Sequence, residues 1–147
     1  MMNLLSNKII ALIIFVLILS GCSMINNHPN MTIEQHAQNL HFFVKQTMML
    51  ALYNTDYPES DWINLRTILE QGRLALTDPE QVDLNVVADF FEQDVPEEYQ
   101  PMVAMILKIV EQHIYTITPT PDNEKIIDLI VAGFDGAIEA IDEYLDN

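Results

Sequence analysis

The sequence is poor in several residue types on which common protein chemistries depend. Among its 147 residues there is one cysteine, Cys22, so no intramolecular disulfide can form. Only 6 lysines and arginines stand against 22 aspartates and glutamates, which gives a net charge of −16. Such a surface repels nucleic-acid phosphates and anionic lipid head groups. We therefore expect no nucleic-acid binding, and either a basic partner or an acidic surface that only keeps the protein in solution.

Motifs for catalysis and for metal binding are also missing. The sequence contains no GxSxG, no HExxH, no phosphate-binding loop and no glycine-rich dinucleotide turn. The four histidines are His28, His36, His41 and His113. None is followed four residues later by another, which is the spacing that places two metal ligands on one helix face. We therefore predict no metal site and no cofactor.

Acidic pairs offer the remaining route to catalysis. Glycosidases use two carboxyl groups about 5 to 9.5 Å apart, and pairs such as Glu97 with Glu98 or Glu139 with Asp142 could supply them. In a chain this acidic, however, such pairs arise throughout the sequence by chance. We expect a protein that is not an enzyme, and keep an envelope hydrolase as the weaker alternative.

The first 21 residues have the layout of a signal peptide. Lys8 is the only charge, the segment from Ile9 to Leu19 is entirely apolar, and the small residues Ser20 and Gly21 follow. Eleven apolar residues are too few for a permanent membrane helix, which needs about 20. This layout predicts removal of residues 1–21.

Leu19-Ser20-Gly21-Cys22 resembles the lipobox of bacterial lipoprotein precursors. The resemblance implies that Cys22 becomes the first residue of the mature chain and carries diacylglycerol and a further acyl chain such as palmitate. Ser23 follows, where an aspartate would indicate retention in the inner membrane. The implied location is therefore the cell envelope, anchored by lipid to the outer membrane and facing the periplasm, and two or more acyl chains suffice for stable attachment.

Removal of the signal would also take Lys8 and leave 5 basic residues, a net charge of −17. Residues 22–31 would form a lipidated tether, because they are polar, contain Pro29 and show no periodicity. Residues 32–147 would form a single acidic helical domain, since about 115 residues suffice for one core.

Helix signals from Thr32 onward predict an all-α fold, a compact bundle of four to five helices. Thr32 and Gln35 form a capping-box pattern ahead of a helix over 33–53. Ser60 is the predicted N-cap of the second helix, in which Trp62 belongs to the apolar stripe. The other members of that stripe are Leu65, Leu69 and Leu76.

The third helix is predicted to begin at Asp78 and Pro79 and to end before Pro96. Its predicted core face consists of Leu84, Val87, Ala88 and Phe91. The fourth helix, about 101–117, is apolar around most of its circumference, so we expect it at the centre of the bundle.

The last helix is predicted over about 122–145. Ala132, Gly136 and Ala140 recur every four residues and should form a smooth ridge against which another helix packs closely. The opposite face carries acidic residues that could steer a partner: Asp135, Glu139, Asp142 and Asp146.

Two further features suggest possible sites. His113 lies on the apolar side of the fourth helix, where it is either a hydrogen-bonded core residue or a general base with a shifted pKa. On the first helix, Phe42, Met49 and Tyr53 interrupt the polar face. They either pack within the bundle or form a docking surface for a partner.

The sequence thus predicts a membrane-anchored, non-catalytic helical module that binds a protein partner or has a structural role. A narrower alternative is an envelope lipoprotein that excludes phage or inhibits a lytic enzyme.

Overall fold

The computed structural model describes residues 31–77 and 84–146. These ranges contain α1 (Ile33–Asn54), α2 (Glu59–Leu76), α3 (Asn85–Asp89), α4 (Gln100–Ile114) and α5 (Asn123–Leu145), and a π-helical segment, Phe90–Asp94, continues α3. No strand occurs in these ranges. The fold is an all-α bundle, as predicted. The signal peptide, the tether before Met31 and the predicted start of the third helix at Asp78 lie outside the described residues.

Local signals in the sequence place the ends of α1 and α5. The Oγ1 of Thr32 accepts a hydrogen bond from the backbone N–H of Gln35 at 3.3 Å, and the Thr32 N–H donates to Oε1 of Gln35 at 2.9 Å. The predicted capping box of α1 is therefore confirmed. The Asp122 side chain accepts from the N–H of Lys125 and caps α5 in the same way.

α2 begins two residues earlier than predicted. Ser60 lies inside the helix, and Pro58 occupies the N-cap without a side-chain hydrogen bond. The backbone of Pro58 is extended, and its carbonyl oxygen accepts from the Asp61 N–H at 2.9 Å. The predicted apolar stripe of α2 is confirmed, because Trp62 and its three leucines are all buried.

The predicted core face of the third helix is partly confirmed. Leu84, Val87 and Phe91 pack half-buried against the core, whereas Ala88 is exposed. Phe90, which was not predicted to face the core, is buried at the start of a π-helical segment, where the 3.6-residue period no longer applies. The helix ends before Pro96, as expected.

The centre of the bundle is α5 rather than α4. α5 packs against α1, α2 and α4, whereas Leu107, Ile109 and Ile114 of α4 remain half-buried. The buried residues of α5 recur along its whole length: Ile127, Leu129, Ile130, Gly133, Phe134, Gly136, Ala137, Ile138, Ala140 and Ile141. α4 is the more apolar helix by composition, but its position at one side of α5 leaves part of its apolar face uncovered.

The small-residue ridge of α5 packs closely against α1, as predicted. Gly136 lies so near the backbone of His41 that a Cβ atom there would clash with the His41 carbonyl oxygen. Gly133 instead faces a side chain, with Val110 Cγ2 2.7 Å from the place a Cβ would take. Within the described ranges, no helix is long and apolar enough to cross a bilayer.

Candidate functional site

The three predicted partner-binding residues lie on one surface of α1, which we call the α1 strip: Phe42, Met49 and Tyr53. Phe42 and Tyr53 are each 63% exposed, while Met49 is half-buried against the core. The ring of Tyr53 meets that of Tyr144 of α5 edge to face, with centroids 5.4 Å apart. α5 thus holds one end of the strip in place.

Leu50 extends the strip and was missed by sequence reasoning. Its side chain is 45% exposed, although it is a large aliphatic residue in a long helix. Leu50 follows Met49 directly and lies about 100° further around α1. It was missed because it falls at the border between the polar and apolar faces, where periodicity does not decide exposure.

A charged cluster borders the strip on the side of α5. Lys45 Nζ lies 2.9 Å from Glu139 Oε1 and 2.7 Å from Glu143 Oε2. His41 Nε2 lies 2.5 Å from the second oxygen of Glu139. Hydrogen bonds from Lys45 and then from His41 lower the pKa of Glu139, and those to Glu143 and Glu139 raise the pKa of Lys45. His41 therefore forms its ion pair across the interface between α1 and α5.

Two other acids of α5, Asp142 and Asp135, also neutralise cations of a neighbouring helix. Asp142 binds Arg66 of α2 with both carboxylate oxygens, and Asp135 lies 3.2 Å from Arg73 Nη1. Three of the four acids that were expected to steer a partner are thus engaged in ion pairs between helices. These carboxylates stabilise helix packing before they can steer a partner.

Every cation in the described part of the chain already has a carboxylate partner: Lys45, Arg66, Arg73, Lys108 and Lys125. The acidic residues outnumber them by far. The remaining carboxylates thus have no free lysine or arginine among the residues that the structure describes.

His113 is buried and pairs with a second histidine. Its Nε2 lies 3.2 Å from Nδ1 of His36, and the two rings meet edge to face. Burial lowers the pKa of His113 to about 4, and the charge of His36 acts in the same direction. Burial also lowers the pKa of His36. The hydrogen-bond partner of this core histidine is thus another imidazole, and one ring donates while the other accepts.

An apolar groove of about 390 Å³ lies between α3, with its π-helical continuation, and α4. Val87, Phe91, Leu107, Ile114 and Ile130 line it. Their exposure is the direct result of the side position of α4.

Neither the search for metal ligands nor the comparisons with known proteins point to a further site. In residues 31–77 and 84–146, no group of three or more histidine, cysteine, aspartate or glutamate side chains is arranged to hold a metal ion. Cys22 and His28 lie outside these ranges. Comparisons with protein-family models, with curated proteins and with solved structures found no match to this chain.

Proposed function

We propose that this protein is a lipid-anchored lipoprotein of the bacterial cell envelope whose helical domain binds a protein partner through the α1 strip and catalyses no reaction. The lipobox ending at Cys22 supports the anchor, and the short tether keeps the domain near the membrane surface. A tether of nine residues after Cys22 reaches at most about 30 Å.

The observation that carries the binding role is the exposure of two aromatic side chains on one face of α1. Phe42 and Tyr53 are both 63% exposed, and Leu50 adds aliphatic area beside them. Aromatic side chains dominate the binding energy of protein interfaces, and they are costly to leave in water. The salt-bridged Lys45 and Glu139 at the border would form the polar rim that such interfaces have.

The acidic surplus supports a basic partner. Because the described cations are already paired, a positively charged surface would gain attraction from the remaining carboxylates. A basic lytic enzyme has this charge, so inhibition of such an enzyme is the narrower form of the proposal. Expression of the protein should then lower the sensitivity of cells to lysozyme.

The binding role is tested by site-specific photocrosslinking in native membranes. A photoreactive phenylalanine analogue at position 42 or 53 should capture the same partner, whereas the analogue at Tyr115, the 78% exposed C-cap of α4, should not. The variant Phe42→Ala/Tyr53→Ala should reduce partner recovery about tenfold or more. Met49 is kept in this variant because its half-buried side chain supports the core.

Leu74→Ala/Tyr115→Ala is the matched control, since both residues are large, exposed and outside α1. Circular dichroism should show that each variant keeps its helix content. Equal partner recovery from the two double variants would rule out the α1 strip. The anchor is tested separately: Cys22→Ser should move the protein from the membrane fraction to the soluble fraction.

A further inference from the structure

The groove between α3 and α4, which we call the α3–α4 groove, is lined almost entirely by apolar side chains. Val110 and Ile130 are buried at its base, whereas Phe91, Leu107 and Ile114 are half-buried along it. Water that fills the groove is in contact with hydrocarbon on several sides. An apolar occupant that displaces this water is therefore favoured by the hydrophobic effect.

The two charged residues that line the groove neutralise each other. Lys108 Nζ lies 2.5 Å from Glu111 Oε2, and both side chains are exposed. Their hydrogen bond raises the pKa of Lys108 and lowers the pKa of Glu111. A charged ligand would find no unpaired charge of opposite sign on this wall. An uncharged hydrocarbon chain needs none, so it matches the lining better than a basic or acidic peptide does.

The chain that precedes the described residues begins beside one end of the groove. Met31 comes five residues before His36, and Nδ1 of His36 lies 3.2 Å from Nε2 of His113. The residue after His113 is Ile114, which lines the groove. The nine residues that join Met31 to Cys22 reach at most about 30 Å, roughly three times the diameter of a helix. A group attached to Cys22 can therefore reach the groove.

The length of the groove suits an acyl chain. The residues of α4 that line it extend from Ala104 to Ile114, which corresponds to about 15 Å of helix. An extended chain advances about 1.2 Å per bond, since an extended residue of three bonds spans about 3.6 Å. The groove therefore has the length of about 12 chain carbons, which is most of a palmitoyl chain.

We propose that the α3–α4 groove holds one acyl chain of the protein's own Cys22 while the lipoprotein is away from a membrane. The inference rests on the proposed lipid anchor and is independent of the α1 strip. A bilayer covers an acyl chain on all sides, whereas the groove leaves one side in water, so the chain returns to a membrane on contact. A second copy of the domain is a poorer occupant, because the strong negative charge of each copy opposes their approach.

Photocrosslinking of the lipid tests this proposal. Cells that express the protein are grown with a palmitate analogue that carries a diazirine near its methyl end, and the mature lipoprotein is purified in detergent. Mass spectrometry first measures acylation of Cys22. After removal of the detergent and irradiation, we expect crosslinks to residues 87–91 and 104–114. Excess phospholipid vesicles should transfer the crosslinks to lipid. Mixing with isotope-labelled protein shows whether each crosslink lies within one copy.

Two alanine substitutions provide a matched pair of variants. Ala104 and Ala88 are both exposed, but only Ala104 lines the groove. Ala104→Phe should lower the yield of groove crosslinks about fivefold or more, because the phenyl ring takes the place of several methylene groups. It should also make the acylated protein aggregate when the detergent is removed. Ala88→Phe should behave as the wild type does, and circular dichroism should show the same helix content for both.

The outcomes separate this inference from the proposed anchor. An unacylated Cys22 would overturn both. An acylated Cys22 without groove crosslinks would overturn the inference alone, and so would crosslinks that join different copies. Equal crosslink yields from Ala104→Phe and Ala88→Phe would also overturn it, since the acyl chain would then lie elsewhere.

Discussion

His36 and His113 show how two polar side chains can share a buried position between α1 and α4. Each imidazole carries one nitrogen that donates and one that accepts when it is neutral, so each satisfies the other at 3.2 Å. Protonation of the accepting nitrogen removes the acceptor of this hydrogen bond, and protonation of either ring places a charge in a buried site. The pair is therefore most stable while both rings are neutral.

This pairing predicts that the stability of the fold falls with acidification through the titration range of histidine. Burial holds the pKa of His113 near 4 in the folded state, against about 6.5 in the unfolded chain. Between these values the unfolded state binds more protons, so the free energy of unfolding rises with pH. This contribution is fully present above about pH 6.5, is lost as the pH falls toward 4, and amounts to roughly 3 kcal/mol.

Urea unfolding at intervals between pH 4.5 and 7 should measure this slope. His113→Gln removes the titrating ring and should flatten the dependence, whereas His41→Gln changes a histidine at the surface and should leave most of it. The two variants also separate the effect of histidine on stability from that of Glu139, because the lowered pKa of Glu139 changes stability only at lower pH. Equal slopes for His113→Gln and the wild type would contradict the assignment to His113.

The close contact between α1 and α5 depends on glycine at position 136, where no side chain separates the two helices. Gly136 allows the backbones of the two helices to approach until no Cβ fits beside the His41 carbonyl oxygen. The ion pairs of Lys45 and His41 with Glu139 lie on the same interface and require the same close spacing. A change in the distance between these helices would therefore disturb packing and ion pairs together.

We predict that Gly136→Ala destabilises the protein although alanine favours helices. The helix propensity of alanine contributes about 1 kcal/mol, but overpacking against a rigid backbone costs about 1–3 kcal/mol or more. Gly133→Ala is the matched control in the same helix, because its new Cβ would meet a methyl group of the Val110 side chain rather than backbone atoms. Chemical denaturation should give a clearly lower free energy of unfolding for Gly136→Ala than for Gly133→Ala. The opposite order would contradict close backbone packing at His41.

The whole molecule carries far more negative than positive charge, and this surplus opposes folding. Compaction brings the unpaired carboxylates closer together, and the few cations are already used in ion pairs between or within helices. Surface ion pairs contribute little to stability, so their screening by salt matters less than the screening of the general repulsion. Salt should therefore stabilise this fold.

We expect the free energy of unfolding to rise by about 1 kcal/mol between about 20 mM and 500 mM sodium chloride, over which the screening length falls several-fold. The variant Glu92→Gln/Asp128→Asn removes two exposed carboxylates that have no partner in the described ranges. It should be more stable than the wild type at low salt and should gain less from added salt. A fall in stability with salt would show that the ion pairs outweigh the repulsion.

The amino-acid sequence alone determines the helices of this protein, because their signals act over a few residues. Thr32 with Gln35, Asp122 and Pro96 mark helix ends through hydrogen bonds or steric limits within one turn. The stripe of Trp62 with its leucines and the ridge at Gly136 follow from the helical period. These elements could be predicted without knowledge of any partner.

Only the tertiary structure decided which helices cover one another and which side chains meet. Periodicity shows how much of a helix is apolar, but not which neighbour lies against it, so α4 was expected at the centre that α5 occupies. His36 and His113 are 77 residues apart, and Arg66 and Asp142 are 76 residues apart. Such pairings depend on the paths of the connecting segments, and no local signal in the chain carries that information.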